Sequence, residues 1–319
     1  MKLKFVKLSF SELNKSNEVR SFIKQHGSIF QQIEFLEAVG DNTSTSVATD
    51  NDEVVGVLTL VSTKKSGFRA SFIPSYCHIY GPILKRGLIN THEVLVGLIG
   101  LHKGYPLIEL KAFLGDQDIV AFKSLGATIK ATQTHIYEHN GSLDENSLHS
   151  SKRRYLKKLL IELSKGHIKV NESESCKEQL LWLQEQTSKK SGFKVNISKL
   201  KNILQTLTNE NSYSIVVTTQ EGKPLSGAFC PFDSTYAYHL INASVSHEDN
   251  LLNRSNILTT YLAIKKAMEL GLSFDFEGSN VPGVARYYRN MGGAPKLLYR
   301  IQIPRSFLGR LAFGLQQMM

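Results

Sequence analysis

The sequence predicts a mixed α/β (α+β) chain of two tandem domains, each a mixed, mostly antiparallel sheet flanked by helices. Three observations predict this. Strand patterns come in antiparallel runs interrupted by helices, without the strand–helix alternation of a doubly wound parallel sheet. At 319 residues either half can bury its own core. Features also recur: residues 49–60 and 218–229 both read strand, polar turn, strand with a small residue (Gly56, Gly227), and residues 122–127 match 288–293 as a helix end followed by Gly. Two matched features at nearly one offset, about 165–171 residues, indicate a duplicated domain.

Residues 1–8 alternate Lys with apolar side chains, a strand pattern too broken for a signal-peptide core. Helices are expected at 11–25 and 31–39, then strands at 44–49, 54–61, 69–74 and 77–80. A helix at 91–102, a strand at 107–111, a helix at 117–125 and a β-branched strand at 132–137 complete the first half. The polar, turn-rich segment 140–147 sets the boundary, giving domains 1–145 and 146–319. The second half opens with a basic helix at 150–163, capped by Ser150 or Ser151, whose Tyr155, Leu156, Leu159, Leu160 and Leu163 recur at three- and four-residue steps. Helices at 176–190 and 197–207 precede strands at 213–218, 225–232 and 236–243. A helix at 256–269 follows, then a strand at 272–277 with Asp275 and Glu277 on one face and Phe274 and Phe276 on the other. A Gly/Ser/Asn/Pro loop leads to a helix carrying Tyr287 and Tyr288 and stopping at Gly292. The tail at 307–315 reads as a short amphipathic helix that packs back on the protein.

Thirty-eight Lys+Arg against 28 Asp+Glu give +10, which favours an anionic partner: nucleic acid, nucleotide, phosphorylated lipid head or CoA. Three scattered cysteines, Cys77, Cys176 and Cys230, suit a reducing compartment, and the expected location is the cytoplasm. No apolar run reaches membrane-spanning length. His135-Ile136-Tyr137-Glu138-His139 spells an inverted zincin string. On a strand its histidines stand roughly 13 Å apart, too far for one zinc, so no metal is expected. Nucleophile-elbow, Walker A and dinucleotide fingerprints are absent from the sequence.

Three places carry chemistry-bearing residues. Asp275 and Glu277 close a strand, where a carboxylate either takes a proton from an amine or caps the following turn. Lys152, Arg153, Arg154, Lys157 and Lys158 crowd one helix without a compensating acid, either a solvated face or a phosphate contact. Residues 236–243, the polar loop 244–254 and a helix opening at Ser255 or Asn256 form a strand, loop and helix N-terminus that could take phosphate.

The wording Asp275-Phe276-Glu277-Gly278-Ser279, with Asn280, Ala285, Tyr288 and Gly292 after it, resembles the end of a GNAT acyltransferase domain, and its Fem-type branch in particular. The turn Ile79-Tyr80-Gly81-Pro82 looks like Fem-type first domains. That branch transfers acyl or aminoacyl groups in building the bacterial envelope. The resemblance implies a first domain serving as scaffold and acceptor platform, and a second holding a splayed sheet where an amine attacks an acyl carbonyl directly. It implies Tyr288 as general acid and Asp275 or Glu277 as amine-side base. Asn242, Arg254, Ser255 and Asn256 would be donor contacts, and Lys152, Arg153, Arg154, Arg286 and Arg289 acceptor contacts. No resident cofactor is implied; acyl-CoA or aminoacyl-tRNA would be the donor, and an anionic or lipid-linked amine the acceptor, with peripheral membrane contact. The sequence departs from the pattern in two places: Asn280 lies one residue too far upstream, and residues 250–256 lack the glycines of a CoA loop. Without glycine, Cβ atoms obstruct backbone approach to a phosphate. The departure favours tRNA over CoA, or a non-catalytic binding role. A CoA-dependent N-acyltransferase for an amino sugar or lipid-linked amine stands as the alternative.

Overall fold

The alternating N-terminus forms strand β1 (Leu3–Leu8), and the expected long helix after it is two, α1 (Phe10–Lys15) and α2 (Asn17–His26). Ser16 breaks it, its hydroxyl accepting the Val19 N–H as the N-cap of α2. Then come α3 (Ile33–Val39), β2 (Thr43–Asp50), β3 (Glu53–Lys65), β4 (Phe68–Ser71), β5 (Ile83–Leu84), α4 (Thr91–Gly100), β6 (Leu107–Ala112), α5 (Asp116–Ser124) and β7 (Thr128–Tyr137). The second half runs α6 (Ser150–Ser164), β8 (Ile168–Asn171), α7 (Cys176–Ser191), α8 (Ile197–Thr206), β9 (Ser212–Thr219), β10 (Pro224–Pro231), β11 (Tyr236–Tyr238), β12 (Ile241–Ser244), α9 (Ser255–Glu269), β13 (Ser273–Asp275), α10 (Pro282–Asn290) and β14 (Ala294–Pro304). The computed structural model describes residues 2–40, 43–65, 68–141, 143–192, 194–278, 281–306 and 309. Ser279, Asn280 and the expected tail helix at 307–315 (Gly309 apart) lie outside the described residues.

The chain divides into two units, Met1–Thr132 with Leu297–Met319, and Gln133–Lys296. These bounds differ from the expected 1–145 and 146–319, because β7 begins in the first unit and ends in the second, while β14 does the reverse. In the first unit the strand order is β1-β2-β3-β4-β6-β14, with β5 on β3. All neighbours are antiparallel except β4 and β6, whose register among the described residues is a single position, Ser71 with Ile108. Past that point β6 gains a different neighbour. The Tyr80 N–H donates to the Lys111 carbonyl at 2.7 Å, and the Lys111 N–H returns to the Tyr80 carbonyl at 2.6 Å. Tyr80 is 1% exposed. Its hydroxyl accepts the Val61 N–H at 2.6 Å and bonds Ser71 Oγ at 2.9 Å. Gln31 Nε2 donates to the Gly81 carbonyl at 2.7 Å. The Ile79–Pro82 turn therefore fills the place where β4 parts from β6.

The second unit has two sheets, β12-β10-β9-β8, all antiparallel, and the end of β7 with β13 and β11. β13 pairs antiparallel with β7 and parallel with β11. Leu156, Leu159, Ile215, Ala228, Ile257, Ile264, Phe274 and Phe276 belong to its core. A Cβ at Gly227 would meet Leu180 at 2.6 Å, so the small residue lets α7 close on β10. Gly126 and Gly292, the repeated helix-end glycines, both take positive φ, +72° and +90°, as helix stops require.

Candidate functional site

Residues 236–243, expected as one strand, are broken at His239–Leu240. Tyr236, Ala237 and Tyr238 pair with Ser273, Phe274 and Asp275 of β13. The His239 N–H makes the last rung to the Asp275 carbonyl, at 2.9 Å. From Ile241 the chain pairs with β10 instead. On the other side of the split, the Phe276 N–H turns away to the His135 carbonyl on β7, also at 2.9 Å. The strands thus part after Asp275 and leave a splayed gap. Its far end is narrowed: Thr187 Oγ1 donates to the Ser244 carbonyl and accepts the Ser244 N–H, both at 3.2 Å. Backbone groups alternate direction along an antiparallel strand, so Asn242, two residues earlier, turns its amide and carbonyl the same way, into the gap.

The two carboxylates divide their roles. The strand ends at Asp275, correcting the expectation that it runs to Glu277 and that both share one face. Asp275 is fully buried, and its Oδ1 accepts the Thr134 hydroxyl and, at 2.8 Å, the Glu277 N–H. That is a turn cap. It holds Glu277 at φ +58°, a left-handed conformation that costs a non-glycine residue of order 1 kcal/mol. Gly278 follows at φ +41°, and a Cβ there would come within 2.3 Å of the Gln133 carbonyl. Glu277 follows directly after the split as a half-buried residue, with its Oε1 shielded from solvent.

Tyr288 is 8% exposed, stacked on Phe276 with ring centroids 4.9 Å apart. Burial pushes its phenol well above the usual range, and the charges of Glu277 and Asp275 push it the same way. The hydroxyl stays protonated and makes no hydrogen bond among the described residues. Tyr287 points elsewhere. Its hydroxyl bonds Thr260 Oγ1 at 2.9 Å and the Asn256 carbonyl at 3.1 Å, pinning α10 to the start of α9.

The expected donor loop is closed on itself. Asp249 Oδ1 accepts the N–H groups of Leu251 and Leu252, at 2.7 and 3.0 Å. The Asn253 and Arg254 amides go to the Asp249 and Leu251 carbonyls, and Ser255 N–H to Leu252. Ser255 is buried, and Asn256 lends its carbonyl to Tyr287. A carboxylate occupies the amides that a CoA-type loop offers to pyrophosphate. Side-chain cations stand beside it: the Arg254 guanidinium lies 4.5 Å from the centre of the Tyr155 ring, Arg154 lies 5.5 Å from the same ring, and Lys152 Nζ lies 4.5 Å over Tyr287. Burial, then the charge of Arg254, lowers the Lys152 ammonium.

The structure thus brings Lys152 and Arg154 together with Arg254, residues expected at two separate sites. It sends Arg153 to Asn146 Oδ1 at 2.7 Å, and leaves Arg286 and Arg289 exposed on α10. His149, rather than Ser150 or Ser151, caps α6, its Nδ1 accepting the Ser151 N–H. The zincin string begins on strand β7 as expected, and no group of metal-binding side chains occurs among the described residues. No helix among them is long and apolar enough to cross a membrane. Two histidines have a burial that the sequence did not announce, His135 of the zincin string and His239. His135 and His239 are buried at 0% and 4%, their four ring nitrogens without hydrogen-bond partners among the described residues. His135 lies 5.9 Å from Tyr288 and His239 5.2 Å from Phe274. Burial lowers both, His239 to about 3.

No protein-family model and no curated protein matches the chain. Solved structures do. FemX superposes with a TM-score of 0.70 at 17% identity, over 93% of this chain and 96% of that one. The DUF2156 C-terminal domain, from Agrobacterium fabrum, of a protein assigned as lysylphosphatidylglycerol synthetase gives 0.63 at 9% identity, over 96% of both chains. A tandem GNAT protein from the clavulanic acid biosynthesis pathway gives 0.57 at 9%, over 96% and 99%. The chain has the Fem-type tandem GNAT fold, two mixed α/β domains with mostly antiparallel sheets flanked by helices.

Proposed function

We propose that the protein is an acyltransferase of the Fem-like GNAT type, joining an aminoacyl group to an amine of a cell-envelope precursor. The gap between β12 and the end of β13, with the protonated Tyr288 at its mouth, carries the reading. An acyl carbonyl entering that gap meets the Asn242 backbone, whose amide and carbonyl can pair with an extended donor. The acceptor amine attacks the carbonyl carbon and gives a proton to Glu277; the ester C–O bond breaks as Tyr288 protonates the departing oxygen. A proton passed from Glu277 back to the tyrosinate restores both groups. A positioned acid of this kind contributes about 10²–10⁴-fold, and holding the two substrates together supplies much of the rest. The self-closed loop at 249–255 favours an ester on RNA over a CoA thioester, since no free run of loop amides awaits a pyrophosphate. The envelope acceptor is read from the fold shared with FemX and with a lysylphosphatidylglycerol synthetase domain.

The test is a donor panel in single-turnover format: aminoacyl-tRNAs and acyl-CoAs of increasing length, each with amine-bearing envelope precursors. Transfer from aminoacyl-tRNA is expected. Transfer from acyl-CoA alone would replace the donor assignment with the CoA-dependent alternative. Turnover with no donor, together with none bound, would remove the enzymatic reading.

A further inference from the structure

A neutral imidazole carries one N–H donor and one acceptor nitrogen, and folded chains rarely bury such groups unbonded. The second unit buries two of them beside the proposed acid. Asp275 of β13 registers with Ile136 of β7 and with Tyr238 of β11. One step on, the Phe276 N–H reaches the His135 carbonyl, and His239 follows Tyr238 on the other side. Opposed residues share a face of a sheet, so His135, Phe276 and His239 form a row across three strands with Phe276 in the middle. Thr134 and Asp275, whose side chains bond each other, take the opposite face. Ring contacts agree with this placement. His239 lies 5.2 Å from Phe274 and 6.3 Å from Phe276, centroid to centroid, and His135 lies 5.9 Å from Tyr288, which stacks on Phe276. The row is tightly closed: a Cβ on Gly293 would come within 2.8 Å of the Phe276 ring and 3.1 Å of the His135 Cβ. Tyr288 thus rests on one ring flanked by two histidines, all four of whose ring nitrogens lack hydrogen-bond partners among the described residues.

We infer that the His135–Phe276–His239 row is an acid-sensitive seat for Tyr288: closed, it admits only neutral imidazoles, and a proton taken up by either one opens the end of the split and frees the tyrosine ring. The inference goes beyond the transfer reading and holds whatever the donor. A protonated imidazole brings a charge and two donors, which the Phe274 and Phe276 rings cannot meet and water can. His135 is lowered by burial first and then by Arg289 of α10, while Asp275 of β13 opposes both; Tyr288 is the other titratable side chain against it. Burial alone acts on His239. The closed row therefore binds fewer protons than the open one. Closure has its full strength above the ordinary histidine value near 6.5 and weakens as pH falls toward the closed values. The chain also has a place to open, because the His239 N–H makes the last rung to β13 and β12 begins only at Ile241. Phenylalanine at both positions would fill the row without this dependence. The histidines act on Tyr288 through the packed row and are positioning residues.

The experiment is native-state hydrogen exchange of the full chain between about pH 7.5 and about pH 5, with each amide corrected for its intrinsic chemical rate. Three amides report on the seat: Phe276, His239, and Gly293, whose N–H is bonded to the Tyr288 carbonyl at 3.0 Å. The buried strand β9, which carries no histidine, reports on opening of the whole unit. Exposure of His239 should raise the opening constant of the three amides about thirtyfold at pH 5, the ratio set by about 6.5 in the open form and about 3 in the closed one. His135 should add to the rise, and β9 should stay better protected than the seat throughout. His135→Phe and His239→Phe should each remove part of the rise, and the double variant all of it. Ring-nitrogen NMR shifts of the unsubstituted protein, which need no variant to fold, should show both imidazoles neutral in the closed form at pH 5. Exchange at the three amides that tracks β9 at every pH would mean that the row opens only with the whole unit, and would overturn the proposal. A local opening insensitive to pH, a rise that spares Gly293, a rise that the double variant keeps, or charged imidazoles in the folded protein would overturn it as well. Nothing is turned over in these measurements, so a failed donor panel and a failed seat are distinguishable.

Discussion

In the first unit, the strand that parts from β6 is replaced at once by chain: Tyr80 takes up the Lys111 backbone on both sides and buries its hydroxyl against Ser71 and Val61. In the second unit, the strand that parts from β13 joins β10, and no other strand pairs with its freed edge among the described residues before Thr187 takes the Ser244 backbone. Each split has a buried tyrosine nearby. Tyr80 is bonded and structural, whereas the Tyr288 hydroxyl is left without a hydrogen-bond partner among the described residues. A duplicated fold thus supports two jobs, because filling the split with the chain's own backbone removes the edge that a substrate would use. On the proposed function, scaffolding would fall to the first unit and chemistry to the second.

Paired substitutions at the two tyrosines test this contrast with the largest expected effect. Tyr288→Phe keeps the ring on Phe276 and should lower transfer by about 10²–10⁴-fold with little change in melting temperature. Tyr80→Phe should do the opposite. It orphans the buried Val61 N–H and Ser71 hydroxyl, costing about 1–3 kcal/mol, while single-turnover transfer survives at temperatures where the protein is folded. If Tyr80→Phe abolished transfer in folded protein and Tyr288→Phe spared it, the assignment of the two units would be reversed.

A second pair sharpens the division inside the open split. Asp275→Asn alters the buried acceptor of the Thr134 hydroxyl and the Glu277 N–H, and a denaturant midpoint should fall by about 1–3 kcal/mol in stability. Glu277→Gln should leave stability nearly unchanged and lower the rate of amine attack. Equal effects of both substitutions on both readouts would mean that the carboxylates act as one unit.

A last effect is a pH dependence to which each unit contributes one buried histidine. Burial lowers His102 in the first unit to about 4 and His239 in the second to about 3. The folded protein thus resists protonating them, and no stability is lost above the unfolded histidine value near 6.5. As pH falls below that, the unfolded chain takes up protons that the folded chain refuses, and stability declines toward the folded values. At pH 5 each histidine should cost about 2 kcal/mol. His102→Phe and His239→Phe should each flatten the acid limb of a stability-versus-pH curve; an unchanged limb in both would contradict the burial argument.

Much of this was legible in the chain. Helix stops at Gly126 and Gly292 could be read because only a residue tolerant of positive φ ends a helix that way. The basic helix α6 and the Asp275–Glu277 pair could be found because charge and alternation are local properties. The break at His239–Leu240 could not, since residues on either side keep one alternation, and the choice between β13 and β10 is made by distant chain. Nor could the meeting of Lys152 with Arg254, which depends on how α6 crosses α9. The closed loop was nearer to reach: Asp249 followed by Asn250 is a turn-capping signal, and its consequence for phosphate binding went unread. The division of labour between the two carboxylates rests on a positive φ at Glu277, which nothing in an Asp-Phe-Glu sequence announces.

The exchange of β7 and β14 between the units bears on how the polypeptide is made. β14 completes the first unit's sheet by pairing with β6, and the buried Glu109 waits for Arg300 and Gln302, the former 191 positions downstream. Until β14 has been synthesised, Glu109 lacks the Arg300 guanidinium and β6 keeps a bare edge, an aggregation-prone intermediate of the kind chaperones shelter. Expression of residues 1–132 alone should therefore give insoluble material, and co-expression with the segment that carries β14 should recover soluble first unit.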